Sequence, residues 1–280
     1  MPGQFVLTLD GVNVGSLKSA AGGQASADVI NEPPGPSSFV KKHIGRPKYE
    51  DLIMQAGLCL SKLIYDCVAD SWKGNYQRKN GSVLFCDSNF MVKSEREFFN
   101  SLITETTIPA MDGSSKDPCY MTLKFRPEYT RFKTGSGKAP TPDPGLKQQV
   151  WLPSNFRLAI AGLDCTKVNK IDGFTVKHST SKIDFPNLRI SLSESSAKAW
   201  IEWHEDFVIK GNSGEANEKN GSLTFLASDL KTELATINFF NLGIFSLSLD
   251  DSDDPADQIK RFTAELYCEH MEFHYGAKPA

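Results

Sequence analysis

Apolar residues recur at every second position in several short stretches of the chain. Phe5, Leu7 and Leu9 alternate, as do Phe156, Leu158 and Ile160, which predicts two half-buried strands. Met121, Leu123 and Phe125, matched by Phe262, Ala264 and Leu266, predict a later strand in each half. Only one segment per half carries a helical period. Leu63, Ile64, Cys67, Val68 and Trp72 fall on one helical face between Ser61 and Gly74. Trp200, Ile201, His204 and Val208 form the corresponding stripe, ending at Gly211. Asn80-Gly81 and Asn220-Gly221 precede apolar strands and predict tight turns, because Asn-Gly readily adopts positive φ. The predicted class is mainly β with one helix per half, each half a small barrel or sandwich.

These patterns occur twice in the same order. Phe5 to Gly11 is echoed by Phe156 to Gly162, and Asn80 to Phe85 by Asn220 to Phe225. Phe98-Phe99-Asn100 returns as Phe239-Phe240-Asn241, and Phe125 to Glu128 as Leu266 to Glu269. The offset is 151 at the start, 136 from Leu52 to Leu188, 140 at Asn-Gly and 141 thereafter. A repeat this long implies a duplicated domain, since solenoid periods are roughly 20–50 residues. The expected division is residues 1–132, a Pro/Gly-rich linker over 133–153 with Pro140, Pro142 and Pro144, and residues 154–280. The first copy is longer by an expected loop over 31–48, too long for a simple hairpin. Its residues Phe39, Lys41, Lys42, His43, Arg46, Lys48 and Tyr49 predict a contact surface for other subunits.

Composition narrows the function classes. The 280 residues are 40% hydrophobic and 23% charged, ordinary for a globular protein. No apolar run reaches the roughly 18 residues of a membrane span, and the N-terminus lacks a secretory pattern, so a protein made in a cytoplasm without a membrane anchor is expected. Net charge is −3, divided as +3 over residues 1–140 and −6 over 141–280. Neither half has a nucleic-acid footprint, so no sequence-specific nucleic-acid binding is expected, and the opposite signs suit contact between unlike halves of two chains. The six cysteines occupy no equivalent positions in the two copies, which predicts reduced, mostly buried thiols.

Candidate chemistry is sparse. Gly135-Ser-Gly137-Lys138 lacks P-loop spacing, and Asp250 to Asp254 lacks the glycine and distal glutamate of a calcium loop. His270, Glu272 and His274 share a strand face, a spacing that also suits a wet outer face, and no metal or other cofactor is expected. His204 is expected to pack or hydrogen-bond, and no residue sits in a motif that activates a nucleophile, so the chain is not expected to be an enzyme.

The order of blocks resembles the tail tube protein family of contractile-tail phages and phage-tail-like contractile injection systems. Phe5 to Gly11, Gly45-Arg-Pro-Lys-Tyr-Glu-Asp-Leu52 leading to Gly57, helix Ser61 to Trp72, Lys79-Asn-Gly-Ser, and Phe98-Phe99 through Ile108-Pro109 carry it in the first copy. Glu265 to Glu272 closes the second. The resemblance implies two tandem tail-tube-like domains, six-membered rings stacked into a hollow tube, and a location in a virion tail or tail-like particle. With two domains per chain, it implies a homotrimeric, pseudo-hexameric ring that stacks on itself. Sheath, baseplate hub and cap proteins are its implied partners. A terminal, initiator or adaptor ring meeting a threefold hub stays open beside the repeating tube. In another class, so does a soluble two-domain β module binding carbohydrate or protein.

Overall fold

The computed structural model describes residues 4–33, 39–135, 137–141, 150–179, 182–250 and 260–276. Strands form where the alternation predicts them, and the protein is mainly β. The N-terminal half contains β1 (Gln4–Leu9), β2 (Val12–Leu17), β3 (Ser19–Gly22), β4 (Ala25–Asn31), β5 (Lys42–Tyr49), β6 (Leu52–Ala56) and α1 (Lys62–Trp72). It continues with β7 (Lys79–Cys86), β8 (Val92–Ile108), β9 (Met111–Asp112), β10 (Met121–Arg126) and β11 (Tyr129–Thr134). The C-terminal half contains β12 (Phe156–Ile160), β13 (Val168–Ile171), β14 (Phe174–His178), β15 (Ile183–Asp184), β16 (Leu188–Ser193) and α2 (Lys198–His204). A π-helical turn over Glu205–Ile209 extends α2, and β17 (Lys219–Leu226), β18 (Glu233–Asp250) and β19 (Arg261–Tyr275) follow.

Each half builds one large sheet with the same path. One runs β1-β7-β8-β10-β6-β3, with β2 outside β1, and the other runs β12-β17-β18-β19-β16-β13. The sheets exchange strands. β14 of the C-terminal half pairs with β8, and β9 of the N-terminal half pairs with β13. Most of the buried apolar side chains of both halves accordingly form one continuous cluster.

The Asn-Gly pairs are not turns. Asn80-Gly81 lies inside β7 and Asn220-Gly221 inside β17, so that expectation fails. A Cβ on Gly81 would sit 2.2 Å from the Thr8 carbonyl oxygen, and one on Gly221 would sit 2.8 Å from that of Ala159. Glycine is there because a neighbouring strand passes too close for a side chain. Positive φ appears instead at Asn100 (48°) and Asn241 (54°), midway along β8 and β18. Each of these residues donates its backbone N–H to a partner Asn side chain, Asn100 to Asn80 Oδ1 at 3.0 Å and Asn241 to Asn220 Oδ1 at 3.2 Å.

α1 starts at Ser61, whose hydroxyl accepts from the Leu63 N–H at 3.4 Å, and Gly74 beyond its end has φ +78°. Ile64, Val68 and Trp72 are buried as expected, and so is Tyr65, on a face not expected to be covered. The second stripe differs more. α2 and its π turn bury Trp200, Trp203 and Phe207, while Ile201 and Val208 are exposed. The expected set Trp200, Ile201, His204 and Val208 therefore mixes two faces of that helix.

Residues inside the expected linker 133–153 pack onto both halves, with the Trp151 ring 4.9 Å from that of Phe225. Ala139 joins Val6 and Leu84 in a small second cluster, and Trp151 is buried, with its carbonyl accepting from Cys119 N at 3.0 Å.

Candidate assembly interface

β8 is long enough to have different neighbours along its length. Its first part, Val92 to Ser101, runs between β7 and β11, and its last part, Leu102 to Thr107, has β10 on one side. The other edge of that last part is where the C-terminal half docks. Phe174 lies opposite Ile108, Thr175 opposite Thr107, Val176 opposite Thr106 and Lys177 opposite Glu105. The Thr107 and Thr175 hydroxyls meet at 2.8 Å. Backbone groups on an open sheet edge are left unpaired, and adding a strand satisfies them at small cost in area.

Above this pairing, α1 packs against β19. The Tyr65 ring stacks on Tyr275 with centroids 4.0 Å apart, and Phe273 lies 6.3 Å from Tyr65 and 5.8 Å from Trp72. Phe185 meets the Trp72 ring edge-on at 6.4 Å. The Tyr65 hydroxyl is fixed from its own half, donating to the Gly57 carbonyl at 2.6 Å and accepting from Leu60 N at 3.0 Å. The seam thus combines strand addition with an aromatic cluster. A cavity of about 440 Å³ opens beside it, lined by Tyr76, Arg78, Ile103, Arg126, Glu128 and His178. His178 is buried with neither ring nitrogen bonded, and burial lowers its pKa from 6.5 to about 4.

The expected contact loop is largely a hairpin. β4 and β5 pair antiparallel as a separate two-stranded sheet, so Lys42, His43, Arg46, Lys48 and Tyr49 sit on a strand, and 31–48 is not one irregular loop. Phe39 and Lys41 lie in the connection, where Phe39 is highly exposed, and residues 34–38 fall outside the described residues. Lys48 pairs with Asp28, and His43 lies 3.5 Å from Glu32. Sequence reasoning places Phe39 and Tyr49 beside the cations here but leaves out the other apolar residues of the hairpin. Val29 lies opposite Ile44, and both are exposed, as are Ile30 and Val40. The available signal was the run Asp-Val-Ile before Pro33, which reads as an exposed apolar strand once its pairing is known.

The remaining candidates offer little chemistry. His274 Nε2 is 3.2 Å from Glu272 Oε2, and His270 Nε2 is 3.9 Å from Glu272 Oε1, a carboxylate between two imidazoles on a strand. Residues 251–254 of the acidic stretch and Ser136 of the Gly-Ser-Gly segment lie outside the described residues. All six cysteines are free, two buried and four half-buried, and burial pushes the Cys119 thiol up to about 12 and Cys268 to about 11. Such thiols are poor nucleophiles near neutral pH. No helix among the described residues is long and apolar enough to cross a membrane.

No family model matches the chain, and no curated protein matches it. Among solved structures, it is similar to the tube-terminating cap of the anti-feeding prophage, at 18% identity over 46% of this chain and 87% of that one, TM-score 0.39. A chain of the extended sheath–tube complex of PVC, an extracellular contractile injection system, matches at 15% identity over 46% and 88%, TM-score 0.38. A chain of the anti-feeding prophage baseplate matches at 12% identity over 48% and 93%, TM-score 0.39.

Proposed function

We propose that this protein is a structural ring component of a contractile phage tail or a phage-tail-like injection system. In this reading it arose by tandem duplication, and three chains place six similar halves around one channel. The observation that carries the reading is the pairing of β14 with the open edge of β8. Two halves of like topology join edge to edge, and repetition of such a join closes a ring and leaves no sheet margin open to indiscriminate pairing. The block order shared with tail tube proteins supplies the identity of the ring. The role is mechanical, and no catalytic step is assigned to it.

The β4–β5 hairpin suits a contact between successive rings. It stands apart from both large sheets and presents Val29, Ile44, Phe39, Lys42 and Arg46 outward. Its counterpart β14–β15 is short, so long and short hairpins alternate around the proposed ring. That alternation favours a second reading, an adaptor ring between a sixfold tube and a threefold hub. Electron microscopy of the purified protein tests both. Stacked tubes support the repeating subunit, and single rings support the adaptor. Dispersed single chains at high concentration would refute a ring and favour the soluble binding module.

A further inference from the structure

The seam inside one chain has a counterpart on each outer side of the molecule. Strand registers establish which residues correspond. Ser26 lies opposite Lys48 in β4–β5 as Lys177 lies opposite Asp184 in β14–β15, and Ser19 lies opposite Gln55 as Lys170 lies opposite Ser191. Phe132 lies opposite Arg96 as Phe273 lies opposite Ile237, and both long strands bulge at the same place, Thr104 and Phe245. The internal acceptor surface is the β8 edge at Glu105 to Ile108 with Tyr65 and Trp72 above it. Its counterpart is the β18 edge at Ser246 to Leu249 with Ile201 and Val208. The internal donor surface is Phe174 to Lys177 with Phe185 and Phe273. Its counterpart is Gly23 to Ser26 with Tyr49 and Phe132.

Burial separates the two sets. Inside the seam Tyr65, Trp72, Ile108 and Phe273 are at most 1% exposed. Their outer counterparts Ile201, Val208, Leu249 and Phe132 are 42%, 41%, 45% and 61% exposed. The β18 segment from Ser246 to Leu249 pairs with β19 on one side only, and no described strand occupies the other edge. β4 likewise pairs with β5 alone. Apolar side chains are exposed beside both edges. β4 carries no described strand on its outer edge, while Gly23 just before it is buried, with its carbonyl accepting from the Thr130 hydroxyl at 2.7 Å. The internal seam shows how such a pair fits.

We infer that the β18 edge and outer α2 face of one chain bind the Gly23–Ser26 segment and β11 of a second copy. The pairing is antiparallel, with Gly23 opposite Leu249, Gln24 opposite Ser248, Ala25 opposite Leu247 and Ser26 opposite Ser246. Phe132 and Tyr49 of the second copy then cover Ile201 and Val208. The donor surface lies on one half and the acceptor on the other, so the contact is head to tail and each chain uses both surfaces. The inference rests on the ring reading and adds its register.

The test is a cysteine pair in the full chain. Gln24→Cys with Ser248→Cys places two exposed thiols directly opposite each other in the proposed register, within disulfide reach. Mild oxidation followed by a non-reducing gel is expected to give a ladder of linked chains. Either single variant, and Gln24→Cys with Leu247→Cys, whose side chains face opposite sides of the sheet, are expected to stay unlinked. Rings seen by microscopy without the 24–248 bond would overturn the register alone. Absence of association at any concentration would overturn the ring reading with it. A second variant, Val208→Glu, alters an exposed side chain and is expected to keep the wild-type circular dichroism. It should weaken association at least about tenfold, because the contact would bury an unpaired carboxylate. Unchanged association of Val208→Glu would contradict the inferred contact.

Discussion

Trp72→Ala probes whether the two halves unfold as one body. The Trp72 side chain belongs to α1 in the N-terminal half and is fully buried, yet its aromatic partners Phe185 and Phe273 both belong to the C-terminal half. Its indole nitrogen has no hydrogen-bond partner, so truncation strands no acceptor and the loss is one of packing. Removing a buried Trp side chain costs about 3–5 kcal/mol, of which each edge-on ring pair contributes about 0.5–1.5 kcal/mol. That is a large share of the 5–15 kcal/mol stability usual for a domain, roughly, and leaves a folded protein. Urea unfolding followed by far-ultraviolet circular dichroism reads it. With a slope of about 3 kcal/mol per molar urea, the midpoint falls by about 1–1.7 M. The transition is expected to stay single, because the seam couples both sheets. Two transitions, with only the N-terminal one displaced, would refute the shared core.

Other perturbations test separate elements. His178 is neutral when folded, with its pKa lowered to about 4 by burial, while the unfolded chain takes up a proton near 6.5. Stability is therefore full above pH 6.5, falls as pH drops toward 4, and is level below, a loss on the order of 3 kcal/mol. His178→Phe should flatten that dependence, and an unchanged slope between pH 6.5 and 4 in denaturant titrations would contradict the assignment. Gly81→Ala forces a Cβ against the Thr8 carbonyl and should destabilise by more than about 1 kcal/mol, whereas a stabilised variant would show that β1 and β7 can separate there. Deleting residues 33–46 removes the β4–β5 connection and the first five residues of β5, and is expected to abolish stacking while leaving single rings in electron micrographs. Tubes of unchanged length would rule out the hairpin as the stacking contact.

The strands were the most legible part of the sequence. Phe156, Leu158 and Ile160 alternate because one side of β12 faces the core while Arg157 and Ala159 face solvent, a contrast local pattern records directly. The Asn-Gly pairs misled because local preference for a turn was overridden by close approach of a neighbouring strand, which no local pattern reveals. The α2 stripe misled for a related reason. Both faces of that helix are apolar, as on α1, but within one chain only the face bearing Trp200, Trp203 and Phe207 is covered. Ile201 and Val208 look like core in sequence because they are apolar at helical spacing, but only their counterparts Tyr65 and Trp72 are covered, by the seam. The addition of β14 to β8 was not visible at all. Edge pairing is carried by backbone groups that every residue possesses, so neither composition nor periodicity marks it. The hairpin was seen as a long insertion with cations, but its strand register depends on Val29 meeting Ile44, a pairing between residues fifteen positions apart.

Native mass spectrometry of the smallest closed ring tests the central claim most directly. Three chains of 30.9 kDa, a particle of about 93 kDa, are predicted, with six similar halves contributed in pairs. A ring containing six chains would contradict the account, since each half would then have to occupy a different place in the wall.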